Sequence, residues 1–342
     1  MPMSRGFTVG YGRRMKNWVA PVAVIVALEY LVALLIGAMV GFHFSIPINV
    51  YPVVSATIVA ATLTILLIVN LGLMFLRGEQ HPGAALIALA KRHRRWIIEF
   101  SIGAMLVGLE IGVLNWMKVM LPLVQPFWAD PMLANLDAAM FFGTDGWRVA
   151  HAMFGWAAVP ISVSYGLWSL VKFGTILTVL CLPPSAFKSR AILAYFITIA
   201  LGCTTQYILP SAGPIFFQLM GYGDRFADMP VDALVATARD YLWSDYLRAG
   251  GKIGGGISAM PSLHVAIALW IAMVAHRSRL RIAGWLFYAS ILVGSVMLGW
   301  HYASDSVAGT VMAWVAWWGA GLLIGANDRA PSPSVQRVPC RE

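Results

Sequence analysis

Eight apolar runs constrain this chain more than any other feature. They cover roughly 18–40, 53–76, 97–121, 153–182, 191–209, 263–276, 283–299 and 304–325. A helix needs about 20 apolar residues to cross a bilayer, and a backbone in lipid must satisfy its own hydrogen bonds. Runs of this kind therefore fold as membrane helices. The sixth is short, and its Pro261-Ser262 start lets the helix begin below the outer surface. Composition agrees: 11% of residues are charged, against about 25% in a soluble domain. The expected fold is an all-α polytopic membrane protein with about eight transmembrane helices.

The formal net charge of +9 would suggest nucleic acid in a soluble protein, but here most Lys and Arg sit in short loops between spans. With the N-terminus in the cytoplasm, Arg77, the KRHRR cluster at 91–95, Lys188, Arg190, Arg277, Arg279, Arg281 and the tail arginines all fall inside. Seventeen of the 24 basic residues then face the cytoplasm, five lie in outer segments and two in spans. That asymmetry follows the positive-inside rule, so no nucleic-acid partner is implied. Arg13, Arg14 and Lys16 precede the first run without a small-residue cleavage site, which reads as a retained signal anchor. Cys181, Cys203 and Cys340 show no paired spacing, so neither a disulfide framework nor a thiolate metal site is implied.

The stretch LRGEQHPGAALIALAKRHRR reads as a basic, partly amphipathic segment on the inner surface. The outer segments are 122–152 and 210–260. In the latter, Asp224, Asp228 and Asp232 are spaced four apart, as on the wet face of an interfacial helix. Glu29, Glu110 and Lys172 fall near mid-span, where charge is costly. A buried Glu110–Lys172 pair is the expected arrangement, with a transport path as its rival.

Chemistry concentrates between Gly250 and Gly309. The chain there reads GGKIGGGISAMPSLHVA, an apolar hairpin turned by HRSRLR, then GWHYASDSVAG. His264 and His301 each open an apolar run. A chain that goes down one run and back up the next returns both histidines to the same side. Asp305 follows His301 by four residues, one helical turn, and a carboxylate there fixes an imidazole's tautomer and raises its nucleophilicity. A nucleophile with its orienter, opposite a second histidine, suits phosphoryl transfer. Gly250, Gly251, Gly254, Gly255 and Gly256 allow close backbone approach and a nest of N–H groups for an anion. Pro261 suits a first helical turn, leaving the amides of Ser262, Leu263 and His264 toward a ligand. Lys252 and Arg248 supply cations. His264, His301 and Asp305 offer a possible metal set, and Ser262 with His264 a possible hydrolase pair, but phosphoryl chemistry without metal or other cofactor fits the pattern better.

SAMPSLH and HYASD resemble the second and third signature motifs of the type 2 phosphatidic acid phosphatase (PAP2) superfamily. Within it the chain is most similar to the branch of inositol phosphorylceramide synthases. DPMLANLDAAMFFG at 130–143, SYGLWSLVKFGTILTVL at 164–180 and YILPSAGPIFF at 207–217 add to the likeness. The resemblance implies a six-helix catalytic core within 96–326. Residues 1–95 would form a two-span anchor with a basic loop, and 327–342 a disordered cytoplasmic tail. It also implies that His301 attacks phosphorus, Asp305 orients it, and His264 protonates the leaving alkoxide. Ser262, Gly256, Ser211 and Gly213 would line the phosphate site. The implied partners are a phosphatidylinositol-like membrane phospholipid as donor and a lipid alcohol, ceramide or diacylglycerol, as acceptor. Two departures stand out: the Lys-x6-Arg-Pro first motif is absent, and Gly294-Ser295 stands where phosphatases of the superfamily carry Ser-Arg. Both departures are similar to what head-group transferases show, and they favour transfer over hydrolysis. The expected setting is a bacterial cytoplasmic membrane, with the site facing the periplasm and both termini inside.

Overall fold

The computed structural model describes residues 17–42, 50–248, 250 and 252–325. The basic leader at 13–16, Gly251, Cys340 and the expected disordered tail at 327–342 lie outside the described residues. Every one of the eight apolar runs is helical, and no strand occurs among the described residues. Apolar composition around the long spanning helices leaves them little polar face, as lipid and neighbouring helices require.

Helices α1 (Val19–Val40), α2 (Val50–Leu76) and α4 (Arg94–Val124) are long enough to span, with the short α3 (Pro82–Arg92) between the last two. The segment 122–152 holds α5 (Asp130–Met140) and the start of α6 (Gly146–Phe154). The fourth run is broken. α6 and α7 (Ala158–Gly166) meet α8 (Trp168–Cys181) at a 49° bend. The Pro183-Pro184 pair then stops α8, and Ser185 caps α9 (Ala186–Ile208) by accepting the Lys188 amide at 3.1 Å. After α10 (Ala233–Tyr246) come α11 (Leu263–Ala275), α12 (Arg281–Met297) and α13 (Ala303–Ile324).

Among the described residues, five helices are long and apolar enough to cross a membrane, and the bent pair makes up to six. The other two of the eight runs, α11 and α12, have only 13 and 17 residues. Their shortness has a plain cause: the chain uses the residues flanking them to build the histidine-bearing turns.

α9 packs along α13, α11 along α12 and α13, and α1 and α2 along α4. One apolar core fills the bundle with Phe100, Trp116, Ile192, Phe196, Ile267 and Trp270. A second lies over the end where α4 and α9 finish and α11 and α13 begin. It is built from Leu121, Phe127, Leu133, Trp147, Phe216, Phe226 and Tyr302. The described residues of the segments 122–152 and 210–260 thus form an apolar roof over both histidine turns. At the opposite end, buried Lys188 lies 3.6 Å from Glu99 and donates to the Leu180 and Leu182 carbonyls.

Two expectations about charged residues need correction. The three aspartates spaced four apart do not share a helix face. Asp224 accepts from Gln218, Asp228 meets Arg148 at 3.4 Å, and Asp232 caps α10 by accepting the Val235 amide. Nor do Glu110 and Lys172 pair. The Glu110 side chain meets Glu29 across the α1–α4 contact, where Tyr30 packs edge-on to Trp116. The Lys172 ammonium instead lies over the rings of Trp168 and Phe173, at 4.5 and 4.3 Å. Similar depth in the sequence did not mean the same side of the bundle.

Candidate active site

His301 sits in the turn between α12 and α13 and is almost fully buried, at 4% exposure. Its Nδ1 lies 2.8 Å from the Ala259 carbonyl oxygen. A carbonyl can only accept, so Nδ1 carries the proton and Nε2 keeps the lone pair. Asp305 Oδ2 is farther away, 3.8 Å from Nδ1. The tautomer is therefore set first by a backbone carbonyl 42 positions upstream, with the expected carboxylate as a second neighbour.

Asp305 has a further task. Oδ2 accepts the Tyr302 amide at 3.0 Å, which stabilises the first turn of α13. Its main-chain carbonyl accepts the Ser262 amide at 3.0 Å, tying the start of α13 to the start of α11. Gly309 permits this approach, because a Cβ there would strike the Ser262 carbonyl oxygen. The Ser262 hydroxyl caps α11 by accepting the Val265 amide at 3.3 Å. So the Ser262 amide is used within the protein, contrary to expectation, while its hydroxyl proton stays available.

His264, in the first turn of α11, lies opposite His301 with ring centroids 5.7 Å apart. Tyr165 stacks on its ring at 4.9 Å, and Trp168 contacts it at 4.3 Å while donating to the His264 carbonyl at 2.9 Å. The break between α7 and α8 is what turns both aromatic rings toward this histidine.

The glycine-rich loop does something other than expected. Its amides enclose a carboxylate of the protein itself. Asp245 Oδ1 accepts the Lys252 amide at 2.9 Å and Oδ2 the Gly256 amide at 3.0 Å. The Lys252 ammonium bonds Ser244 Oγ and lies over the Tyr241 ring, and Arg248 is exposed. Gly256 and Lys252 are thus committed within the loop, because an anion nest takes whichever carboxylate is nearest.

Ser211 and Gly213 belong to a buried loop that underpins the histidine turns. The Ser211 carbonyl accepts the Ala259 amide at 2.8 Å, so Ser211, Ala259 and His301 form one chain of contacts. The Ser211 hydroxyl is buried and has no hydrogen-bond partner among the described residues. Gly213, at φ 99°, lies where a Cβ would strike the Trp300 carbonyl oxygen. Its own amide goes to Asp130.

Asp130 and Asp137 escaped the sequence reading as site residues, although the stretch containing them was singled out. Asp130 receives the amides of Ala212 and Gly213, at 2.7 and 2.9 Å, and the Tyr302 hydroxyl at 2.9 Å. Asp137, two turns on, receives the amides of Ala303 and Gly146, both at 2.7 Å. These two carboxylates clamp the loop before α10 and the first turn of α13. Desolvation pushes Asp130 up to about 6 and raises Asp137, against the pull of their donors. Two acids at i and i+7 on an outer apolar helix were the available signal. Ser295, where phosphatases of the resembled family carry arginine, points inward: its hydroxyl meets Ser306 at 2.7 Å and its carbonyl accepts the His301 amide.

A family model described as PAP2 superfamily matches residues 131–319, which supports phosphatase or phosphotransferase chemistry on a lipid substrate. Comparisons with curated proteins and with solved structures give no match. The matched region takes in both histidine turns, Asp137 and all of α6 to α12, and it begins one residue after Asp130. Since it spans more than half of the 342 residues, the chain belongs to the PAP2 superfamily.

Proposed function

We propose that this protein is an integral-membrane phosphotransferase that moves the head-group phosphate of a phosphatidylinositol-like donor to a lipid alcohol such as ceramide or diacylglycerol. The observation that carries the reading is the Nδ1 contact of His301 with the Ala259 carbonyl, which leaves Nε2 as a nucleophile opposite His264. In the first step Nε2 attacks phosphorus and forms a P–N bond. The P–O bond to the glycerolipid breaks, and its oxygen takes a proton from His264. In the second step His264 removes the proton of the incoming alcohol, whose oxygen attacks phosphorus and releases His301. The apolar roof over the site limits water and favours a lipid alcohol as acceptor.

The loop charges and the span order support a site on the outer face of a bacterial cytoplasmic membrane, with both termini inside. To test the reaction, purified protein is incubated with phosphatidylinositol labelled in the head-group phosphate, with and without ceramide or a diacylglycerol whose chain length differs from the donor's. Transfer predicts a second labelled lipid, distinct from the donor, that forms only when the alcohol is added. Label released as water-soluble inositol phosphate at the same rate, with or without the alcohol, would make the enzyme a hydrolase.

A further inference from the structure

We propose that Lys118 and Lys172 are the cationic contacts that hold the substrate phosphate beside His264 and His301. The inference rests on the phosphoryl-transfer reading above and names groups that the site otherwise lacks. These are the two basic residues that the topology places inside spans, one on α4 and one on α8.

The geometry converges on His264 from both helices. Lys172 lies one turn after Trp168, whose ring contacts His264 and whose N–H holds the His264 carbonyl. The Lys172 ammonium rests over that same ring. Lys118 comes from α4, which packs against α8, and its backbone lies against Gly256, where a Cβ would strike the Lys118 Cβ. That places it under the strand of chain leading into SAMPSLH. Both lysines act electrostatically on His264, and they act on each other.

Among the described residues neither ammonium forms an ion pair. Asp245 is a carboxylate within electrostatic reach of Lys118, but it makes no ion pair with it and faces the Lys252 and Gly256 amides instead. Two ammonium groups within spans and within electrostatic reach of each other are costly unless an anion joins them. A phosphodiester beside His264 supplies that anion. The Tyr165 hydroxyl is buried on the same side without a hydrogen-bond partner, and adds a neutral donor.

The test uses full-length protein in detergent, with a nitrophenyl phosphate ester as donor and inorganic phosphate as competing ligand. Lys118→Met and Lys172→Met should each lower kcat/KM about 10²–10³-fold, the usual worth of one preorganised charge contact. The inhibition constant for inorganic phosphate should rise about tenfold or more, while Lys172→Arg recovers much of both. Lys118→Gln and Lys172→Gln keep polarity without charge and serve if a Met variant unfolds. His301→Ala should still bind inorganic phosphate, read as a rise in melting temperature. Wild type that cleaves the ester while the folded Met or Gln variants cleave it and bind phosphate equally well overturns the assignment alone. Wild type that neither cleaves the ester nor binds phosphate overturns the phosphoryl-transfer reading, and the assignment with it.

Discussion

Tyr302 donates its hydroxyl to Asp130 across 172 positions of sequence, at 2.9 Å, with both side chains fully buried. This bond joins the outer helix α5 to the turn that carries His301. The same carboxylate holds the Ala212 and Gly213 amides, so one residue fixes two loops of the site.

The bond makes stability depend on pH in a defined direction. Burial holds Asp130 at about 6, above the ordinary aspartate range, so the folded state prefers the protonated acid. Its contribution is therefore most favourable below the unfolded value. It declines as pH rises from about 4 to 6, by up to roughly 3 kcal/mol. Asp130→Asn cannot titrate, and its stability relative to wild type should rise across that window. Melting curves of both proteins from pH 4 to 8, followed by tryptophan fluorescence, check this. A constant difference across the window would show that Asp130 does not titrate there.

Within the bundle, the contact between Glu29 and Glu110 predicts a coupling that the Glu110–Lys172 pairing does not. A double-mutant cycle of Glu29→Gln with Glu110→Gln should show an interaction energy of about 0.5–3 kcal/mol, as contacting residues do. The cycle of Glu110→Gln with Lys172→Met should be additive within about 0.5 kcal/mol. Denaturant or thermal unfolding in a fixed detergent measures both.

The sequence disclosed the helices because lipid leaves the backbone no alternative, and all eight apolar runs are helical. It disclosed the His301–Asp305 spacing because one helical turn is a local relation. The Ala259 carbonyl that sets the His301 tautomer was hidden, since any residue supplies a carbonyl and only the fold brings this one within 2.8 Å. The glycine-rich loop misled for a related reason: nothing in its glycines says which carboxylate will reach them first, and Asp245 does. Lys118 showed only as a cation counted inside a span; which groups it would face is set by packing and was not legible.

Orientation yields a simple outcome. Asp228 is exposed, with 80% of its side-chain surface accessible, in the segment placed outside by the loop charges. Asp228→Cys should react with a membrane-impermeant thiol reagent in intact cells. Reaction only after the membrane is opened would reverse the orientation and put the site on the inner face.

The roles of the two histidines are tested most directly by trapping the phosphorylated enzyme. Protein is mixed with a donor labelled at phosphorus, without acceptor, and the adduct is collected under conditions that preserve phosphohistidine. Wild type should accumulate an acid-labile adduct, and His301→Ala none. His264→Ala should form the adduct about 10²–10⁴-fold more slowly, with a smaller loss for a nitrophenyl ester, whose leaving group needs no proton. An adduct that persists in His301→Ala and vanishes in His264→Ala would contradict the assignment. So would an active wild-type enzyme with no adduct, which would require direct attack by the acceptor on the bound donor.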